Sequence, residues 1–237
     1  MALPDQPVQP LAAAQQAALD GLPDRVRLTI GFAPAMAAQA LAEVSGQSGG
    51  ATQAGSAQWT PHFVPAHYAG DWSALPLRAP EGALHPILQI SANPGTKAWV
   101  ATEHLRASPT LQAMLAQFRC PLQGARLMRL AAGSSIHRHR DDDLNAGWGQ
   151  ARLHVPLATH EAVEFRLNDD PIPMRVGECW YLRLSDPHEV HNPGPKDRIH
   201  LVFDVVVNDW LADQLIEAAS APDRVPPASA AALRAHG

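Results

Sequence analysis

Three short stretches hold the residues whose types and spacing could do chemistry. His139-Arg140-Asp141 sets an imidazole and a carboxylate two positions apart, His188 follows 47 positions after Asp141 in a proline-flanked turn, and Arg198 comes ten residues later. Two imidazoles and one carboxylate on one side of a metal, with the other positions open, suit a non-heme Fe(II) oxygenase. An arginine just downstream complements such a site, because its planar fork can hold the far carboxylate of a dicarboxylic co-substrate.

Strand geometry supports the pairing. Residues i and i+2 of a strand point to the same side, so His139 and Asp141 converge while Arg140 faces away. His137 shares that period and competes for the metal. Asp142 and Asp143 fall on the wrong parity or one step too far and read as solvated. The segments Arg152-Leu153-His154-Val155-Pro156-Leu157 and Arg198-Ile199-His200-Leu201-Val202-Phe203 each place an Arg and a His on one face and aliphatic residues on the other, as the wall of a pocket would. The chain has twelve histidines, so a His-x-Asp pair alone is weak evidence; the conjunction with His188, Arg198 and strand-like text carries the reading. His62, His67, His85, His104, His160 and His236 lack such a context and read as surface or hydrogen-bonded structural residues.

Several motifs together resemble a known family. Gly133-Ser134-Ser135-Ile136-x-x-His139-x-Asp141, Arg152 to Leu157, Gly177-Glu178-Cys179-Trp180, Pro187-His188-Glu189-Val190 and Arg198 to Asp204 resemble the aspartyl/asparaginyl β-hydroxylases, a family of Fe(II)- and 2-oxoglutarate-dependent dioxygenases. Upstream, Gly70-Asp71-Trp72-Ser73-Ala74-Leu75-Pro76-Leu77 is similar to the segment preceding the catalytic core there. The resemblance covers about residues 60 to 212.

It implies that His139 and His188 are iron ligands and that Arg198 binds the distal carboxylate of 2-oxoglutarate. Arg152 and His154 match positions that hold the co-substrate or line its pocket, and Ser73 matches a region near it. Asp141 is a departure. The animal peptide hydroxylases of the family have glycine at this place, whereas this chain retains a potential His139, Asp141, His188 triad, as bacterial relatives do. The animal substrate therefore does not transfer with the chemistry.

Composition bounds the remaining possibilities. A net charge of -5 offers no basic footprint for nucleic acid. The two cysteines, Cys120 and Cys179, have no zinc-like or Cys-x-x-Cys spacing, which favours reduced, buried thiols. The N-terminal text lacks a basic region followed by an apolar run, and no window is apolar for long enough to span a membrane. The expectation is a cytoplasmic protein acting on a small molecule or peptide, with no nucleic-acid or membrane partner; the oligomeric state is not legible.

The elements that must position these residues follow from local pattern. Leu11 to Leu22 reads as a helix, Arg25 to Ile30 as a strand, Pro34 to Val44 as a helix and Gly46 to Ser56 as a loop. Trp59 to Leu77 is extended, and its prolines restrict it to edge strands or irregular segments. Trp72 is expected in the core rather than on the substrate rim. Trp99 to Phe118 has helical spacing, with Ser108-Pro109 able to start a new helix. From Ala125 to Val207 short strands alternate with turns, which predicts a mainly β double-stranded β-helix, a cupin-like jelly roll, with flanking α-helices. The organisation expected is an N-terminal extension over 1–58, a jelly-roll core over 59–212, and a helix end with a frayed tail over 213–237.

The functional expectation is a dioxygenase that hydroxylates a carbon of an amino acid, peptide or peptide-derived metabolite, releasing succinate and CO2. Two alternatives use the same histidines: a non-oxidative cupin-like metalloenzyme, and an inactive metal- or ligand-binding jelly roll. The first has no special need for Arg198. The second should have lost at least one member of the set.

Overall fold

The computed structural model describes residues 10–46, 58–91, 96 and 98–221. The expected loop after Gly46 and the tail beyond Ala221 fall almost wholly outside these residues, as does His236. The chain opens with helix α1 (Ala13–Asp20), strand β1 (Arg25–Gly31) and helix α2 (Pro34–Val44). Strands β2 (Thr60–Pro61), β3 (Tyr68–Ala69) and β4 (Trp72–Pro80) follow, then α3 (Pro86–Ile90), β5 (Trp99–Ala101), α4 (Glu103–Arg106) and α5 (Pro109–Leu115). The site-bearing half comprises β6 (Leu122–Leu130), β7 (Ser134–His139), β8 (Gln150–Ala158), β9 (Glu164–Leu167) and β10 (Asp170–Pro171). It continues with β11 (Glu178–Leu182), β12 (His188–Asn192) and β13 (Arg198–Val206), and helix α6 (Asp209–Ser220) is the last element among the described residues.

The strands form two antiparallel sheets. The larger runs β1-β11-β8-β13-β6-β4-β2, with β5 also on β4; the smaller runs β10-β9-β12-β7-β3. This is the expected jelly roll with flanking helices. Period-two alternation gives each large-sheet strand two different faces. Leu75, Leu127, Leu153, Val155, Leu201 and Phe203 face outward onto the helices, including Ala37 and Ala40 of α2 and Leu211 and Leu215 of α6. Trp72, Met128, Leu130 and Val202 face inward, against Ile136, Phe165, Leu167 and Val190 of the smaller sheet. The site lies in this second layer.

Two local departures from the sequence expectation have plain causes. β4 is nine residues long despite Pro76, because β2 pairs only with Ser73 and Ala74 and β5 only from Arg78 onward, leaving Pro76 in the gap where no outer strand needs its missing N–H. Trp99 to Ala101 is a strand on β4 rather than the start of a helix. Helices then begin at Thr102 and Ser108, whose hydroxyls accept from the backbone N–H of Leu105 and Leu111. β1 is legible as a strand, but not as the edge of the large sheet, paired with β11. Gly177 has φ +83°, and a Cβ there would lie 1.9 Å from the carbonyl oxygen of Phe32, so the turn into β11 requires glycine.

Candidate metal centre

His139 ends β7 and His188 begins β12, and the two are direct partners across the small sheet. Their ring centroids are 4.2 Å apart. Nδ1 of His139 meets the carbonyl of His137 at 2.7 Å, and Nδ1 of His188 meets that of Asp186 at 3.0 Å. A carbonyl only accepts, so both Nδ1 atoms carry the hydrogen and each Nε2 keeps a lone pair for a metal. Burial and the neighbouring His139 push His188 down to about 4, so its ring is neutral, the form that ligates. Asp141 follows β7, its N–H donating to the carbonyl of Leu184. One donor atom from each of His139, Asp141 and His188 lies within 4.8 Å of the others.

His137 does not join them. Between the pairs His188–His139 and Val190–Ile136 the small sheet shifts register, so β7 spends one more residue than β12. This bulge reverses the parity, turning Ile136 and His139 inward and His137 outward, where its Nδ1 donates to the carbonyl of Ala66.

The Asp141 carboxylate is divided between two partners. Oδ1 lies 3.8 Å from His139 Nε2, while Oδ2 accepts from Arg152 Nη1 at 2.6 Å. Arg152 also donates from Nε to Asp204 Oδ1 at 2.6 Å and from Nη2 to Oδ2 at 3.1 Å; Arg126 Nη2 shares that Oδ2 at 3.1 Å. Burial alone would raise both carboxyls, but the arginines outweigh it. Asp204 is held at about 2 by Arg152 and Arg126, and Asp141 is held below the usual range by Arg152, with smaller help from His188 and His139. Arg152 thus reaches the carboxylate that faces the histidines.

Arg198 and His154 line the same cavity, which encloses about 470 Å3 between the sheets. Arg198 is 2% exposed and among the described residues no carboxylate pairs with it; its Nη2 donates to Nδ1 of neutral His200 at 2.8 Å, and its Nε has no partner among them. Burial pushes its guanidinium down to about 9. Both ring nitrogens of His154 are likewise buried without partners among the described residues. A buried cation and a buried imidazole lacking acceptors are what an anionic co-substrate would complete. The donor set fits as well: two imidazoles and a carboxylate suit Fe(II), and the unpartnered arginine suits 2-oxoglutarate.

Ser73 is not brought to this cavity. Its neighbours Trp72 and Ala74 line it, whereas Ser73 points to the opposite face of β4, where its hydroxyl accepts from Arg129 Nε at 3.1 Å. Trp72 is both core and wall: it is buried in the layer between the sheets and also faces the cavity. His62 and His67, expected as surface or hydrogen-bonded structural residues, also line the cavity. His62 stacks on Trp72 with centroids 3.6 Å apart, burial holding it near 4, and His67 lies 5.2 Å from the ring of His139. Arg126 carries one available signal, a charge inside the apolar strand text Ala125-Arg126-Leu127-Met128.

A sequence model of the family described as aspartyl/asparaginyl beta-hydroxylase matches residues 40–207, more than half of the chain. The chain belongs to this family. It is accordingly a hydroxylase, and its His139, Asp141 and His188 set can hold a metal ion. Among solved structures, it is similar to a Pseudomonas putida prolyl-4-hydroxylase at 15% identity, covering 82% of this chain and 100% of that one, with a TM-score of 0.43. A viral collagen prolyl hydroxylase from Paramecium Bursaria Chlorella virus-1, a 2OG complex, matches at 13% identity over 80% and 99% of the two chains, TM-score 0.44. An oxidoreductase of the 2OG-Fe(II) oxygenase family from Burkholderia pseudomallei matches at 12% identity over 64% and 73%, TM-score 0.41. No helix among the described residues is long and apolar enough to cross a membrane.

Proposed function

We propose that this hydroxylase acts on a carbon of an amino acid, peptide or peptide-derived metabolite, with His139, Asp141 and His188 holding the iron and Arg198 holding the distal carboxylate of 2-oxoglutarate. The observation that carries the reading is Arg198, a buried guanidinium with no carboxylate partner among the described residues, opening into the cavity that contains the triad. Bound Fe(II) with 2-oxoglutarate supplies the oxidising power to insert one atom of dioxygen into a C–H bond, the other atom leaving in succinate as CO2 is released.

The protein's own residues do the positioning. Hydrogen bonds from Nδ1 fix the His139 and His188 rings so that Nε2 faces the metal. Arg152 holds one oxygen of Asp141 and leaves the other for the metal. Arg198 fixes the far end of the co-substrate, and His154 lines the pocket that holds it. Trp72, Phe165 and Val190 give the cavity part of its apolar wall.

A screen of amino acids and short peptides for substrate-stimulated succinate formation tests this reading. At least one compound should raise succinate release well above the background with equimolar hydroxylated product. Succinate release that no amino acid or peptide stimulates would overturn the substrate class.

A further inference from the structure

We propose that Arg126 is the seat for a carboxylate of the substrate, so that the compound oxidised is an acid; this rests on the functional reading above. Arg126 sits in the middle of β6, 6% exposed, and faces the cavity alongside Met128. Among the described residues its hydrogen bonding is a single contact, Nη2 to Asp204 Oδ2 at 3.1 Å. Asp204 is already served on both oxygens by Arg152. A guanidinium offers five N–H donors, and here one is used on a carboxylate that has another partner.

The charge balance of the cavity points the same way. Its inner charged side chains among the described residues are Arg126, Arg152 and Arg198 against Asp141 and Asp204. A divalent metal and the two carboxylates of 2-oxoglutarate cancel, so the loaded site retains one positive charge in excess. Asp141 is shared by Arg152 and the metal, and Arg198 is met by the distal carboxylate. The excess therefore falls on Arg126. A buried cation without a full counter-ion is costly, and an anionic substrate group relieves that cost where a neutral one does not. Asp142 and Asp143 line the cavity but are exposed to water, which leaves Arg126 with Asp204, a counter-ion it shares with Arg152.

Space is also kept for the group. Gly124 precedes Arg126 by two residues on the same strand, and a Cβ there would lie 3.0 Å from the Trp99 ring and 3.3 Å from Arg126 Nη1. Gln123 and Gln150 complete this end of the cavity with neutral polar groups. The chemical class assigned is a carboxylic acid, such as a free amino acid or a peptide with a free carboxylate.

The test uses protein loaded anaerobically with Mn(II) and 2-oxoglutarate, titrated calorimetrically with free amino acids and dipeptides and with the carboxamide of each. Binders should be acids, and converting one carboxylate to the amide should weaken binding at least about tenfold. Arg126→Gln should weaken acid binding by a similar factor and leave the amide within about twofold, with Arg126→Lys intermediate. Gly124→Ala, which crowds the guanidinium without removing it, should also weaken the acid more than the amide. Acid and amide binding alike, a preference that survives Arg126→Gln, no acid binding to loaded wild type, or an equal loss of acid and 2-oxoglutarate affinity in Arg126→Gln would each overturn the proposal. Wild type that takes up neither Mn(II) nor 2-oxoglutarate would instead overturn the functional reading; the same acid and amide titrations on unloaded protein would then decide the seat by itself.

Discussion

Arg152 donates to Asp141 at 2.6 Å, joining the carboxylate that faces the two histidines to the large sheet behind it. Through its other nitrogens Arg152 is tied to Asp204. The carboxylate at the metal centre is therefore held by β8 and β13 as well as by its own loop.

Removing Arg152 leaves Asp204 buried with Arg126 alone and frees Asp141. Arg152→Met is expected to cost roughly 3–5 kcal/mol of stability, the range for breaking a buried ion pair from one side, and to weaken Mn(II) binding. Urea denaturation and calorimetric titration measure the two effects. A stability loss below about 1 kcal/mol, the level of a solvent-exposed pair, would show that the bridge does not brace the site.

Asp141 is the one carboxylate in the candidate metal-binding set. Asp141→Ala should weaken metal retention far more than Asp142→Ala or Asp143→Ala, both of which alter exposed side chains. Asp141→Gly should keep partial turnover at saturating iron, while His139→Ala or His188→Ala abolishes it. Equal metal affinity in wild type and Asp141→Ala, with 2-oxoglutarate present, would remove the carboxylate from the ligand set.

Arg198→Ala should raise the apparent 2-oxoglutarate requirement by roughly 30-fold or more, corresponding to about 2–5 kcal/mol for truncating one side of a buried charged hydrogen bond. Metal binding should survive. Unchanged 2-oxoglutarate dependence in steady-state succinate assays would exclude the residue.

Acid should destabilise the fold through His154 and His200. Burial, reinforced by Arg198, holds both well below the ordinary 6.5, so they stay neutral in the folded chain while the unfolded chain takes up protons as pH falls through that value. The unfolded state then binds more protons. Stability is full above about pH 7 and falls toward pH 5 by up to roughly 1.4 kcal/mol per pH unit per histidine. His62, pushed down to about 4, adds in the same direction. Urea melts at about pH 7.5, 6.5 and 5.5 measure the slope, and a flat profile would contradict it.

The spacing of His139, Asp141, His188 and Arg198 is legible because the first pair is local and the others lie in recognisable strand text. What the sequence hides depends on the partner strand. The bulge that turns His137 outward exists only in the register between β7 and β12, so period-two reasoning from β7 alone keeps it as a competitor. The bond from Arg152 to Asp141 crosses from one strand to the end of another, and no pattern within β8 announces it. Adjacency puts Ser73 and Trp72 on opposite faces of a strand, but that Trp72 takes the cavity side is fixed only by the stacking of the two sheets. His62 and His67 cannot be placed before the short strands around them are paired.

His139, Asp141, His188 and Arg198 together should bind Fe(II) and 2-oxoglutarate as one site. Visible absorption during anaerobic addition of Fe(II) and then 2-oxoglutarate to the purified protein reads that assembly without any need for the substrate. A weak charge-transfer band is expected that requires both additions, saturates at one iron per chain and is lost in His139→Ala and His188→Ala. No band with both present, or one undiminished in those two variants, would contradict a shared site.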